Sequence, residues 1–123
     1  MMETQNLLSE ESLPEAVKIS IQAVQDKKAE NIVVLELKEL SSFTDYFVIV
    51  QGNSSRQNTA ICEGVERALK EKKIRPVSIE GRKSADWILM DYGYFIIHVF
   101  SADARGYYAL EKLWGDGPRL SIT

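Results

Sequence analysis

The sequence predicts a single domain of mixed α/β class, with a mixed sheet of about five strands flanked by helices. Its length of 123 residues is that of one domain. Its apolar content of 45% and charged content of 27% are ordinary for a globular protein. Runs rich in β-branched and aromatic residues alternate with stretches of helical periodicity in the order α-β-β-α-β-β-β-α. This alternation predicts helices packed on a sheet.

The chain begins with a polar, acidic stretch over residues 1–11, which predicts a flexible tail. Ser12 is followed three residues later by Glu15, a spacing typical of a capping box, with Pro14 in the first turn. Apolar residues then recur at helical spacing. The pattern predicts a first helix that ends near Lys28.

Two strands and a second helix follow. Ile32–Leu37 and Asp45–Gln51 are apolar runs separated by a short polar connector, which predicts neighbouring antiparallel strands. Ser54 with Gln57 three residues on matches a second capping box. It predicts a helix that extends to about Lys72.

The second half of the chain is organised around a hairpin. A short strand over 77–80 leads into two runs that flank the turn signal Asp91-Tyr92-Gly93. The run Tyr94–Phe100 is apolar almost throughout, which predicts a central strand covered on both faces. A last helix is predicted over 104–114. Glycines then predict a C-terminal tail over 116–123, so that the domain spans 12–115.

Charge and composition exclude several classes of protein. The formal net charge of −3 and the pI near 5.2 argue against a surface built mainly to bind polyanions. A single cysteine, Cys62, excludes an intramolecular disulfide and fits a reducing compartment. No window approaches the ~20 apolar residues of a membrane span, and the start lacks the blocks of a signal peptide. We therefore expect a cytoplasmic protein without a membrane partner.

The residues that most often carry catalysis are sparse. His98 is the only histidine and lies inside an apolar strand, so we interpret it as a core residue hydrogen-bonded to a neighbour. Cys62 lies mid-helix among apolar residues and is interpreted as packing. The sequence therefore predicts no catalytic residue, no cofactor and no metal site.

A nucleotide-binding or nucleotidyl-transferring enzyme is the alternative from a different functional class. The turn Gly52–Arg56, at the mouth of a predicted helix, offers backbone N–H groups and hydroxyls to a phosphate, with Glu80 as a carboxylate. The turn lacks the glycines and lysine of a P-loop, and helix capping alone explains its serines. Asp86 and Asp91 belong to the hairpin, so the alternative stays open without an assembled metal site.

The hairpin carries the best candidate for a binding surface. Trp87, Leu89 and Asp91 share one face of a strand by the period-two rule. Trp and Tyr supply large, rigid contact areas at interfaces, although a Trp that merely covers the core edge fits the same pattern. The predicted partner-binding residues are Trp87, Leu89, Asp91 and Tyr92, with Arg82 and Asp86 at the rim. An edge strand and exposed aromatics also permit a homodimer.

Four segments of the chain resemble the ribosomal silencing factor family, also called Iojap-like proteins. They are residues 44–57, 86–93 (with the pattern Trp-x-Leu-x-Asp-Tyr-Gly), 97–100 and 105–114. The resemblance extends from about Leu13 to Trp114. Gly106 departs from the pattern, because a bulkier residue is common at that position.

The resemblance implies a nucleotidyltransferase-like topology without an established enzymatic activity. It also implies a partner, the large ribosomal subunit, bound through its fourteenth ribosomal protein. Joining of the small subunit would then be blocked sterically, which lowers translation when nutrients are short. A large-subunit biogenesis factor with the same binding site is an alternative that the sequence leaves open.

Overall fold

The structure, a computed structural model, describes residues 8–122 and confirms the predicted mixed α/β domain. Its sheet has six strands rather than about five. The strands are β1 (Glu30–Glu36), β2 (Tyr46–Gln51), β3 (Ser78–Glu80), β4 (Trp87–Asp91), β5 (Phe95–Phe100) and β6 (Arg119–Ile122). The helices are α1 (Glu15–Asp26), α2 (Ser55–Glu71), α3 (Ala102–Tyr108) and α4 (Leu110–Leu113).

The strands lie in the order β3-β4-β5-β2-β1-β6. β5 pairs parallel to β2, and every other neighbouring pair is antiparallel, including the predicted pair β1 and β2. All six residues of β5 are buried. This confirms the prediction of a central apolar strand, because a strand paired on both sides and covered on both faces is removed from water.

The two faces of the sheet are covered unequally. α1 and α2 pack on one face, which carries the larger core with Val48, Val50, Ile97 and Val99. The opposite face carries a smaller cluster that includes Phe47, Ile49, Ile96 and Phe100, packed against Trp87, Leu89, Leu110 and Trp114. Among residues 8–122, only the short helices α3 and α4 lie on this side. We call it the aromatic face.

One of the two predicted capping boxes forms in part, because the Gln57 side chain bonds to the N–H of Asn53 and not to that of the N-cap residue Ser54. The hydroxyl of Ser54 accepts a hydrogen bond from the Gln57 N–H at 3.0 Å, and the Gln57 side chain accepts from the Asn53 N–H at 2.6 Å. At the first helix the prediction was wrong. The N-cap is Pro14, without a side-chain cap, and the Ser12 hydroxyl donates instead to the Ser9 carbonyl at 2.8 Å. Ser12 belongs to a separate 3-10 turn over Glu10–Ser12.

Two further expectations are corrected near the C-terminus. The last helix is broken at Ala109, which adopts the left-handed conformation with φ of 49°. The predicted tail over 116–123 contains β6, which pairs with β1 through Leu120 opposite Val34.

At the N-terminal end of the described residues, Leu8 is buried and its N–H donates to the Arg119 carbonyl at 2.9 Å. Most of the predicted N-terminal tail, residues 1–7, lies outside the described residues.

Candidate functional site

The hairpin places Trp87, Leu89 and Asp91 on the aromatic face of β4. Ile88 and Met90 alternate with them and are fully buried against the two-helix side. The strand register sets Leu89 opposite His98 and Asp91 opposite Ile96. Trp87, Leu89 and Asp91 are each half-buried. Three of the six predicted contact residues therefore share one partly accessible surface.

The indole of Trp87 is held from several sides. Its Nε1–H donates to Nδ1 of His98 at 3.0 Å, and its ring lies 4.4 Å from that of Tyr108 and 5.1 Å from that of Phe100. His98 is buried, and burial lowers the pKa of its imidazole from 6.5 to about 3. The imidazole is thus neutral at physiological pH. Because Nδ1 accepts the indole hydrogen, the ring proton is assigned to Nε2.

Tyr92 does not belong to this accessible surface. It is only 7% exposed, and it stacks on Phe95 with a ring separation of 5.1 Å. Burial raises the pKa of its phenol to about 12. The alternation that turns Trp87 outward sends residues 88, 90 and 92 inward, so Tyr92 packs in the core beneath α2. The expectation that Tyr92 is an exposed contact is corrected on this ground.

The two predicted rim residues lie apart from one another. Arg82 forms an ion pair with Glu66 of α2 at 2.7 Å, which places its guanidinium on the two-helix side of the domain. Asp86 is exposed and lines a cleft at the end of the sheet, near Ser54 and Ser101. The structure therefore does not bring all six predicted contact residues together.

The same cleft contains the turn that suggested a nucleotide site. Its lining includes Gly52, Ser55, Asp86 and Asp103, and its volume is about 340 Å³. Glu80, the carboxylate expected to join it, lies on β3, and β4 and β5 separate that strand from β2. Within residues 8–122 no group of three or more His, Cys, Asp or Glu side chains is placed to hold a metal ion.

Gly52 and Asn58 give this turn a structural explanation. The Asn58 amide donates to the Ala85 carbonyl at 2.7 Å, and its oxygen sits where any Cβ at position 52 would fall. Gly52 is thus required for close packing and not for the approach of a phosphate. Cys62 is likewise buried, and burial raises the pKa of its thiol to about 11, which leaves it protonated and unreactive at neutral pH.

A set of exposed apolar side chains borders the aromatic face, and no sequence pattern predicts it. Phe43 belongs to the predicted polar connector, yet its ring packs edge-on against Trp114 at 6.0 Å while the side chain stays 59% exposed. Leu113, next to Trp114 in α4, is 71% exposed. A single aromatic residue in a polar connector carries no periodicity, so only its tertiary neighbours identify it.

Among the described residues, no helix is both long and apolar enough to cross a membrane.

Comparison with known proteins gives consistent matches over nearly the whole chain. Residues 10–123 match the model of a family described as "Ribosomal silencing factor during starvation". A ribosomal silencing factor from Halalkalibacterium halodurans is 42% identical over 108 residues, covering 88% of this chain and 92% of that protein. A crystal structure of a protein from Chromobacterium violaceum superposes with a TM-score of 0.81 at 35% identity, covering 89% of this chain and 90% of the other.

A more distant relative carries a different name. The mouse protein called "Mitochondrial assembly of ribosomal large subunit protein 1" is 34% identical over 97 residues. The match covers 76% of this chain but only 42% of the mouse protein.

Proposed function

Because the chain belongs to the ribosomal silencing factor family, we propose that it binds the large ribosomal subunit and blocks joining of the small subunit. The proposed contact on the subunit is its fourteenth ribosomal protein. The block is steric and needs no catalysis, and its effect is to lower translation in starvation or stationary phase. The proposed place of action is the cytoplasm, where translating ribosomes lie.

The observation that carries the proposal is the accessible side of the hairpin. Trp87 and Leu89 offer apolar area that α3 and α4 leave partly uncovered, and Asp91 adds a carboxylate beside them. A rigid aromatic anchor next to a charged group is the composition of an interface hot spot. Trp87 is also held in place before any partner arrives, which limits the entropy lost on binding.

The charge of the protein supports a protein partner over ribosomal RNA. The net charge of −3 argues against a surface built mainly to neutralise phosphates. Ribosomal proteins are generally basic, and complementary charge speeds encounter and fixes orientation. Asp91 and, farther away, Asp86 supply negative groups for such a partner. Arg82 and Tyr92 are assigned a supporting role, because one pairs with Glu66 and the other is buried.

Gradient sedimentation tests the proposal. Purified large and small subunits are mixed under conditions that favour joined ribosomes, with and without the protein. We expect the protein to travel with large subunits and the joined peak to fall. A protein that stays at the top of the gradient while joining is unaffected would contradict the proposal.

A second candidate is a role in assembly of the large subunit, favoured by the name of the mouse relative. The two roles use the same contact and differ in when they act. Cells that lack an assembly factor accumulate immature large subunits during rapid growth. Cells that lack a silencing factor instead keep an abnormally high fraction of joined ribosomes after nutrient withdrawal. Subunit profiles under both conditions separate the two.

A further inference from the structure

The large apolar side chains that stay exposed are concentrated on one side of the molecule. Seven are exposed among the described residues: Leu40, Phe43, Val77, Tyr94, Tyr107, Tyr108 and Leu113. Five of these belong to the β1–β2 connection or to α3 and α4, the segments that cover or border the aromatic face. Contiguous exposed apolar surface in a soluble domain marks an interaction site.

Phe43 packs against Trp114, Leu113 precedes Trp114 at the end of α4, and Leu40 lies in the same connection as Phe43; we call Leu40, Phe43, Leu113 and Trp114 the apolar patch. The Phe43 ring lies 6.0 Å from that of Trp114 and 6.5 Å from that of Phe47. Leu40 is 41% exposed and lies beside Gly117, in the segment that follows α4. Phe43 thus makes two ring contacts while 59% of its surface stays exposed.

The apolar patch is connected to the hairpin surface by a layer of buried ring contacts. Trp87 bonds to His98, the His98 ring lies 4.4 Å from Phe47, and Phe47 lies 5.9 Å from Trp114. His98 and Phe47 are buried, so these rings join the two surfaces from beneath. The hairpin surface and the apolar patch therefore rest on one packed layer of rings.

The charges around the apolar patch indicate what covers it. The segments 36–47 and 110–116 contain the acidic residues Glu36, Glu39, Asp45, Glu111 and Asp116 and the basic residues Lys38 and Lys112. Glu111 is paired with Arg105 at 2.9 Å and also lies 3.6 Å from Arg119, so the five acidic residues exceed the four basic ones by one. An apolar centre with an acidic rim suits a basic protein segment and repels a nucleic acid.

We propose that the apolar patch is a second contact surface for the partner on the large subunit, where it accepts an apolar side chain from a basic protein segment. This inference rests on the proposed function and extends its interface beyond the hairpin. The occupant is a ribosomal protein, here the fourteenth protein of the large subunit, and not ribosomal RNA or a second copy of this chain.

Serine substitutions in the full-length protein test the proposal. Phe43→Ser and Leu113→Ser each remove an exposed apolar group from the apolar patch. Val77→Ser is the matched control, because Val77 is 73% exposed and precedes β3 at the far edge of the sheet. Affinity is measured for purified large subunits and for the purified fourteenth ribosomal protein alone, and thermal unfolding verifies that each variant is folded.

We expect Phe43→Ser and Leu113→Ser to weaken binding to both probes by about tenfold or more, and Val77→Ser to leave it unchanged. If Phe43→Ser does not fold, the Leu113→Ser protein tests the proposal alone, because Leu113 is largely exposed to solvent and its substitution should not unfold the domain. If the wild-type protein binds and the folded patch variants bind equally well, this inference is overturned and the proposed function still stands. Failure of the wild-type protein itself to bind subunits would overturn both.

Two results would identify a different occupant and also overturn the inference. Weakened binding to subunits with unchanged binding to the isolated ribosomal protein would indicate that the apolar patch contacts RNA or another subunit component. A concentration-dependent dimer that Phe43→Ser abolishes, without any change in subunit binding, would assign the apolar patch to a second copy of this chain.

Discussion

Trp87 and His98 form a cross-strand pair in which the indole Nε1–H donates to the imidazole Nδ1 at 3.0 Å. The two residues sit diagonally on neighbouring strands, because Trp87 lies opposite Phe100 and His98 opposite Leu89. The bond fixes which side of the indole faces solvent. It also explains the single histidine as an acceptor for Trp87, in agreement with the predicted core histidine.

The pair should show energetic coupling. Trp87→Phe leaves the buried Nδ1 of His98 without a donor, at a cost of about 1–3 kcal/mol, and His98→Phe leaves the indole N–H without an acceptor. The double variant removes both groups, so we expect a coupling energy of about 1 kcal/mol in a double-mutant cycle. Urea unfolding of the four proteins measures it. Additive effects of the single substitutions would contradict the bond as a stabilising contact.

The stability of the domain should fall as the pH is lowered from about 6.5, the ordinary pKa of histidine, because burial holds the pKa of folded His98 near 3. Between these values the unfolded chain binds a proton that the folded chain excludes. The free energy of unfolding therefore decreases by up to about 1.4 kcal/mol per pH unit. Urea unfolding at about pH 6.0 and 5.0, inside this window, and at about pH 7.0, above it, measures the slope.

A second group changes stability in the same direction at lower pH. The hydrogen bond from Arg105 holds the pKa of Glu111 below its ordinary value of 4.5, so the stability that this carboxylate supplies is lost only below that pH. Between pH 4.5 and 6.5, the pH dependence of stability therefore reports on His98 and not on Glu111. We expect the His98→Phe protein to show a flatter profile there. An unchanged slope would show that His98 is not the group responsible.

Tyr92 and Leu89 should separate stability from binding. Tyr92→Ala removes a buried aromatic side chain and should lower the free energy of unfolding by about 3–5 kcal/mol. Tyr92→Phe should be nearly neutral, because the phenolic oxygen has no hydrogen-bond partner among the described residues.

Leu89→Ser changes the accessible side of the same hairpin. It should weaken binding to large subunits by about 1–2 kcal/mol with a smaller effect on folding. Chemical denaturation and subunit co-sedimentation of the three variants provide the comparison. A folded Tyr92→Phe protein that no longer binds would instead place the Tyr92 hydroxyl in the contact.

The hairpin could be predicted because its signals are local. The alternation of Trp87, Leu89 and Asp91 assigns all three to one face without knowledge of the rest of the chain, and the structure confirms that assignment. The same rule, continued to Tyr92, assigns it to the face of Ile88 and Met90, where the structure buries it. Residue type alone, because Tyr is common at interfaces, predicted it as an exposed contact.

Features that depend on tertiary contacts were missed. β6 is a four-residue run after Gly117-Pro118, and it becomes a strand only because β1 offers it a free edge. Phe43 looks like a lone aromatic in a polar connector until Trp114 is placed beside it. The apolar patch is assembled from segments about 70 residues apart in the sequence, so no local pattern could reveal it.

The nucleotide hypothesis predicts that the protein binds a nucleoside triphosphate, and we expect no such binding. Ser54 and Gln57 already satisfy N–H groups at the mouth of α2, and Asp86 and Asp103 line the cleft with negative charge that repels phosphates. We expect no change in the melting temperature with magnesium and any nucleoside triphosphate. A ligand present at a hundred times its dissociation constant would stabilise the fold by about 2.7 kcal/mol, so binding would be visible. A clear shift that Asp86→Asn alters would restore the enzyme alternative.

Ala109→Gly should stabilise the domain. Ala109 joins α3 to α4 in the left-handed conformation, with φ of 49° and ψ of 49°, and its N–H donates to the Arg105 carbonyl at 2.9 Å. This conformation costs a residue with a Cβ about 1–2 kcal/mol, and glycine adopts it freely. After subtraction of the cost of glycine's greater flexibility in the unfolded chain, we expect the free energy of unfolding to rise by about 0.5–1 kcal/mol.

Ala104→Gly, inside α3, is the matched control and should lower the free energy of unfolding by about 1 kcal/mol. Urea unfolding measures both, and a loss of stability in Ala109→Gly as large as that in Ala104→Gly would show that the two helices are continuous in solution.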